Sequence, residues 1–179
     1  RGRRRGASPA TQHMPMEAVF RDEAEEALRK RNAIFAKVFN LVPDTLTITR
    51  VADGRFVEVN HNWEALTGFA REEALGHTSA ELGVWAMPEQ RTQLIEILRR
   101  DGEVRDFEVT FQHKQGHFYY SQVSASLFQA EGETYMMLAV KDVTAQRAAE
   151  QEIREINQQL EDRVHRRTLK LEQINTELA

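Results

Sequence analysis

The spacing of apolar residues along the chain changes from a helical period to an alternating one and back again. Between residues 17 and 42 neither proline nor glycine occurs, and apolar side chains recur every three or four positions. This pattern predicts one amphipathic helix. Pro43 ends it, because proline has no amide hydrogen to donate inside a helix. The apolar stripe of the helix consists of Ala24, Leu28, Phe35, Val38 and Val42.

From Thr45 onward polar and apolar residues alternate, which is typical of strands. Residues 45–49 and 55–59 predict a hairpin around an Asp-Gly turn, and three further strands are predicted at 107–111, 118–128 and 134–143. Residues 60–101 predict short helices and then a longer one, in which Pro88 occupies the first turn. The predicted order is therefore two strands, three helices and three strands.

This order favours an α+β fold with a five-stranded antiparallel sheet and helices on one face. The last three strands follow one another through hairpins, so they are antiparallel and cannot belong to a doubly wound parallel sheet. The helices fall between the second and third strands. We therefore expect a small-molecule cavity between the helices and the sheet.

A helical period returns at residue 145 and continues to residue 179. Apolar residues here follow a heptad pattern over four repeats, which predicts a coiled coil, although two core positions are polar. Both terminal helices would leave an apolar stripe in water in a monomer, so we expect a parallel homodimer. The predicted core positions are Ile153, Asn157, Leu160, Val164, Arg167, Leu171, Ile174 and Leu178.

Composition and charge exclude several classes of protein. The net charge of −4 argues against nucleic-acid binding, and the arginines near the amino terminus belong to residues 1–16, which read as a disordered basic tail or an expression remnant. The longest apolar run, residues 135–140, is too short to insert into a membrane. The sequence has no cysteine, which excludes disulfides and thiol chemistry and is compatible with a cytoplasmic location. A cytosolic part of a membrane receptor would have the same composition.

Residues 39–144 resemble the PAS sensory domain. The resemblance rests on "FVEVNHNWEALTGFAREEALGHT", "KQGHFYYSQVSASLF" and "LAVKDVT". It implies a sheet order of 2-1-5-4-3 and a sensory role, with residues 17–42 as a linker helix, 43–144 as the PAS domain and 145–179 as a coiled-coil signalling helix. The segment "SAELGVWAMPEQR" is similar to bacterial PAS domains that precede histidine kinases, diguanylate cyclases or phosphodiesterases.

We expect the ligand pocket of such a domain to be apolar, and its ligand is unknown. Either tryptophan could stack on a ligand or simply fill the core. Heme-binding relatives carry a histidine on the long helix, but residues 88–101 contain none, which argues against heme. Covalent flavin adducts need a cysteine, so only non-covalent FAD stays open. The predicted pocket residues are Leu46, Trp63, Phe69, Leu82, Trp85, Leu94, Phe107 and Met136.

The sequence contains no catalytic constellation, metal-ligand spacing or phosphate-binding loop. We therefore expect a signal-transmitting part of a larger receptor, with the effector beyond Ala179. Asp142 and Thr144 join the last strand to the output helix, so they are the predicted transmission residues. The alternative is a ligand-free dimerisation scaffold or a part of a transcriptional regulator.

Overall fold

The computed structural model describes residues 16–177, with side chains from Phe20 onward. These residues divide into two compact units between Leu41 and Val42. The first unit is a single helix, α1 (Met16–Leu41). Several of its apolar side chains are exposed, namely Phe20, Leu28, Ile34, Phe35 and Val38.

The second unit contains a five-stranded sheet with the order β2-β1-β5-β4-β3. Every neighbouring pair in it is antiparallel, so the predicted α+β class and sheet order are confirmed. Alternation along the strands gives the sheet one buried face and one more exposed face. The strands are β1 (Thr45–Arg50), β2 (Phe56–Val59), β3 (Glu103–Gln112), β4 (Phe118–Ala130) and β5 (Glu133–Asp142).

Three helices connect β2 to β3, and a fourth follows β5. They are α2 (Asn62–Thr67), α3 (Arg71–Ala74), α4 (Pro88–Asp101) and α5 (Thr144–Glu177). Pro88 lies in the first turn of α4, as predicted. None of the helices within residues 16–177 has the length and apolar character needed to cross a bilayer.

Gly68 ends α2 next to the β3–β4 turn. Its φ of 78° lies in the left-handed region, and a Cβ built there would be 2.5 Å from Cε1 of His113. Only glycine satisfies both conditions without displacing the β3–β4 turn. Lys114 N–H donates to the Thr67 carbonyl at 2.8 Å, so the end of α2 is fixed to that turn.

The core has two clusters of buried apolar residues. The larger cluster joins α4 to the inner face of β3, β4 and β5, with Leu94 and Val123 almost fully buried. The smaller cluster lies around β2, α2 and α3 and contains Phe56, Trp63 and Val84. Trp85 packs against both clusters.

Candidate ligand cavity and output joint

A cavity of about 350 Å³ lies between the inner face of the sheet and the helices. Its walls come from all five strands, the β1–β2 hairpin, α2 and α4, and from the loop that carries Trp85. A volume near 350 Å³ is at the small end of the range for small-molecule sites. The position is the one expected from the order of helices and strands.

Two aromatic pairs form part of the cavity wall. The Trp63 ring lies 4.9 Å from that of Phe56, and the Trp85 ring meets Phe111 edge-on at 4.8 Å between centroids. Backbone bonds hold the Trp85 loop against β3, because Ala86 N–H donates to Thr110 and Gln112 N–H donates to Val84. Both tryptophans are therefore fixed by neighbouring structure rather than carried on a free loop.

Three buried polar atoms on uncharged residues of the cavity wall have no hydrogen-bond partner among the described residues. They are Thr47 Oγ1 and the indole Nε1 atoms of Trp63 and Trp85. Thr47 and Trp63 are 1% and 4% exposed, so bulk water does not reach them freely. An unsatisfied buried polar group costs about 1–3 kcal/mol, and a polar partner inside the cavity would remove that cost.

Four of the eight predicted pocket residues line this cavity: Trp63, Trp85, Leu94 and Met136. The other four do not. Leu46 lies between Thr45 and Thr47, which both line the cavity, so strand alternation turns Leu46 to the opposite face. Phe69 and Leu82 pack on the smaller cluster, while Phe107 follows a bulge in β3 and packs on the edge of the larger one.

The predicted pocket residues do not include the threonines and arginines of the cavity wall. Thr45, Thr47 and Thr49 all line the cavity from β1, and the alternation of that strand could have identified them. Arg91 and Arg99 reach the wall from α4. Their i,i+8 spacing places them on one helix face, but nothing in the sequence shows that this face borders a cavity.

The joint between β5 and α5 is held by a compact set of polar contacts. An Asp142 carboxylate oxygen accepts from Thr144 N–H at 2.9 Å, and Thr144 Oγ1 accepts from Tyr120 N–H at 2.9 Å. Val143 N–H donates to the Tyr120 carbonyl at 2.8 Å. The start of α5 is therefore bonded to one residue of β4.

One turn further along, Arg147 links α5 to β3 and β4. Its guanidinium pairs with Glu108 on β3 and lies 5.2 Å from the centre of the Tyr120 ring. The hydrogen bond from Arg147, with its positive charge, holds the pKa of Glu108 below its usual value. Both groups are well exposed, so solvent screening limits what the pair adds to stability.

Tyr119 connects the cavity to this joint. It is buried and lines the cavity, whereas Tyr120, the next residue, bonds to the start of α5. Burial, with a smaller effect of the Asp142 carboxylate, raises the pKa of Tyr119 well above its usual value, so its hydroxyl is neutral. A shift of β4 at Tyr119 would therefore move the contacts that hold α5.

The predicted coiled-coil residues within the described range all lie on α5, and none of them is buried. Leu178 lies outside the described residues, as do residues 1–15 of the predicted tail. The structure thus shows the helix and its exposed apolar side chains, while the coiled coil remains a prediction.

A family model described as PAS domain matches residues 43–145, which is more than half of the chain. The chain belongs to the PAS domain family. PAS domains are generally sensory modules without catalytic activity, so this chain contains a PAS sensory domain. No significant match is found among curated proteins.

Solved PAS structures share this fold. The PAS domain of an HTR-like protein from Haloarcula marismortui is 23% identical, with a TM-score of 0.57 over 68% of this chain and 98% of that one. A PAS domain from a two-component sensor histidine kinase is 14% identical, with a TM-score of 0.55 over 65% and 98%. An RNA-binding light-oxygen-voltage receptor is 19% identical, with a TM-score of 0.59 over 85% of this chain and 41% of that one.

Proposed function

We propose that this PAS domain binds a small molecule in the cavity and transmits its presence through α5 to an effector. The observation that supports this most strongly is the cavity itself, which combines an apolar wall with three buried, unpartnered polar atoms. A buried donor or acceptor without a partner destabilises a filled core, whereas a ligand in the cavity can bind to it. The reaction that the receptor controls would belong to the effector, either a histidine kinase or a diguanylate cyclase or phosphodiesterase.

The path of transmission in this proposal runs from Tyr119 through Tyr120 to Asp142 and Thr144. A ligand that displaces the inner face of β4 would strain the bonds that hold the first turn of α5. The helix would then settle in a second orientation, which is one established way to switch a packed element. A parallel homodimer through α5 would carry that change onward, since the exposed apolar residues of α5 need a partner.

Non-covalent FAD fits this cavity poorly. A flavin adenine dinucleotide needs far more room than about 350 Å³ unless most of it stays outside. The polar wall also lacks asparagine and glutamine, whose amides could match the alternating donors and acceptors of an isoalloxazine edge. We therefore propose a ligand smaller than FAD. A yellow protein with flavin absorbance after purification would contradict that part of the proposal.

The test compares Trp85→Ala with Phe118→Ala, an aromatic residue that is 60% exposed and does not line the cavity. The probe is 2-naphthol, a neutral aromatic molecule, and binding and thermal unfolding are measured for each variant. We expect Trp85→Ala to weaken probe binding about tenfold, more than its effect on stability explains, because it removes a ring from the wall. Phe118→Ala should leave binding unchanged. Equal affinity in all three proteins would refute the pocket.

A further inference from the structure

The charges on the cavity wall are unbalanced. Three arginines line it, from the β1–β2 hairpin and from α4, against a single carboxylate, Asp53. Arg50 is already neutralised, because it lies 3.2 Å from Asp53 and 3.4 Å from Glu133. Among the side chains that the structure describes, those of residues 20–177, neither Arg91 nor Arg99 has a carboxylate partner.

Arg91 is the better placed of these two unpaired cations. It is half-buried, and its one side-chain hydrogen bond among the described residues runs from Nε to the Ser79 hydroxyl at 3.3 Å. The two terminal nitrogens of the guanidinium are therefore available for a planar acceptor, and a carboxylate matches their fork geometry. Arg99 is exposed, so its charge would act mainly on the approach of an anion.

The interior of the cavity adds a second requirement. An indole N–H can only donate, so the buried donors of Trp63 and Trp85 need acceptors from whatever occupies the cavity. The wall also contains aliphatic side chains, with Leu94 and Leu138 among them. The occupant therefore needs an apolar body, hydrogen-bond acceptors and negative charge.

We propose that the ligand class is a small carboxylic acid with an apolar body, bound with its carboxylate on Arg91 and its body against the tryptophans. This inference rests on the proposed function and specifies its ligand. A cationic amine would meet unpaired arginines, and a neutral hydrocarbon would leave the buried donors unsatisfied. The volume of about 350 Å³ limits the body to the size of a single ring or a medium-length chain.

The chain offers a site-specific optical reporter for the test. It contains only two tryptophans in its full sequence, and both line the cavity, so tryptophan emission reports on the cavity alone. The probes are 3-phenylpropanoate, its amide and 3-phenylpropylamine, together with octanoate and octanamide. They are titrated into the whole chain with excitation at long wavelength, where the phenyl group does not absorb.

We expect each acid to bind at least about tenfold more tightly than its amide, because a charged hydrogen-bonded pair is lost in the amide. Arg91→Gln should bring the acid to the affinity of the amide and leave amide binding unchanged. Arg91→Lys keeps the positive charge but lacks the paired N–H groups of the guanidinium, so its affinity for the acid should lie between those of wild type and Arg91→Gln. This variant also tests the inference if Arg91→Gln does not fold. Arg105→Gln is the matched control, since Arg105 is exposed on β3 and does not line the cavity.

Two results would overturn the inference, and they are distinguishable. If amides or the amine bind as tightly as the acids, or if Arg91→Gln does not affect acid binding, the ligand is not an acid, but the proposed sensory cavity stands. If no probe of any charge alters tryptophan emission, the cavity does not admit apolar molecules, and the proposed function fails together with the ligand class.

Discussion

At the residue scale, two buried threonines on the cavity wall differ in whether their hydroxyls are hydrogen-bonded. Thr47 and Thr67 are 1% and 3% exposed. The Thr67 hydroxyl donates to the Trp63 carbonyl at 2.8 Å and accepts from Phe69 N–H at 3.2 Å. The Thr47 hydroxyl has no partner among the described residues. The first hydroxyl stabilises the fold, whereas we propose that the second serves the ligand.

This difference predicts opposite effects of the same substitution. Thr47→Val should raise the free energy of unfolding of the ligand-free protein by about 1 kcal/mol, because it removes an unsatisfied hydroxyl at nearly constant volume. Thr67→Val, the matched control, should lower it by about 1 kcal/mol because two bonds are lost. Urea unfolding of both variants measures the two effects. Equal destabilisation by both would mean that Thr47 has a partner in the folded protein.

Glu58 makes a pH-dependent contribution to the free energy of unfolding, and the sign of this contribution follows from its pKa. Both of its carboxylate oxygens accept from Arg71 at 2.8 Å, and this bond holds the pKa of Glu58 below its ordinary value of 4.5. Because the pKa is lowered in the folded state, ionised Glu58 stabilises the fold at any pH above the unfolded-state pKa of 4.5. This contribution disappears as the pH falls from 4.5 through the folded-state pKa.

We therefore expect Glu58→Gln to lower stability at pH 7 by no more than about 1 kcal/mol, since the pair is partly exposed. The difference from wild type should shrink as the pH is lowered to about 3. Thermal unfolding across this range checks both statements. Glu89→Gln is the control, because Glu89 is exposed and has no ion pair among the described residues. A difference that grows toward low pH would contradict the assignment.

At the residue scale, the sequence predicted aromatic and aliphatic wall residues better than polar ones. Trp63, Trp85, Leu94 and Met136 could be selected because apolar residues between the predicted helices and strands usually face the core. Leu46 was selected for the same reason, although Thr47 and not Leu46 faces the cavity. Which half of an alternating strand points inward depends on packing against other elements, and a single strand does not encode it.

At the scale of elements, the proposal requires α5 to carry the signal out of the domain. Exposed apolar residues on this helix include Ile153, Ile156, Leu160 and Val164. The predicted heptad register places Asn157 in the core and leaves Ile156 outside it. A register that includes Ile156 has steps of three, four and four residues, which amounts to an insertion of four into the heptad pattern.

We predict that the dimer uses Ile156 rather than Asn157, because an apolar core position is more stable than a polar one. The chain has no cysteine, so single cysteines at 156, 157 and 160 can be introduced without a background. Oxidation should cross-link the 156 and 160 variants rapidly and the 157 variant slowly. Rapid cross-linking at 157 with slow cross-linking at 156 would contradict this prediction and support the uninterrupted heptad register with Asn157 in the core.

Helix and strand boundaries followed closely from local sequence signals. Pro88 begins α4, and Gly102 ends it in a left-handed conformation, because proline and glycine have strong positional preferences that do not depend on tertiary context. The contacts of α5 with the sheet could not be predicted. Arg147 and Glu108 are 39 positions apart, and only the folded register of β3 and β4 brings them together.

At the scale of the whole molecule, the proposal requires the rotational phase of α5 to carry information. Deleting residues 149–152 from the full-length receptor should change effector output, since removing four residues rotates the downstream core by about half a heptad. Deleting residues 149–155 removes a complete heptad and is the control, which should retain regulation. Neither deletion touches Arg147. Normal regulation in both variants would show that α5 is only a tether.

The α+β class followed from the sequence because the order of strands and helices restricts a small chain to few topologies. The resemblance to PAS domains then selected one of these. The ligand did not follow, because the same fold accommodates many ligands and only the side chains that meet in the folded cavity distinguish them. Arg91, Trp63 and Thr47 come together from three different elements.

The most direct test of the account is native mass spectrometry of the whole chain after incubation with a small-molecule extract of its source cells. We predict a dimer with twice the mass of the 20.7 kDa chain, carrying one additional small molecule per protomer. Collisional activation in the mass spectrometer should release the small molecule and leave the polypeptide intact. Thr47→Phe, which fills the cavity, should form the same dimer without the added mass. A wild-type spectrum with the bare polypeptide mass under these conditions would contradict the claim that the cavity is a ligand site.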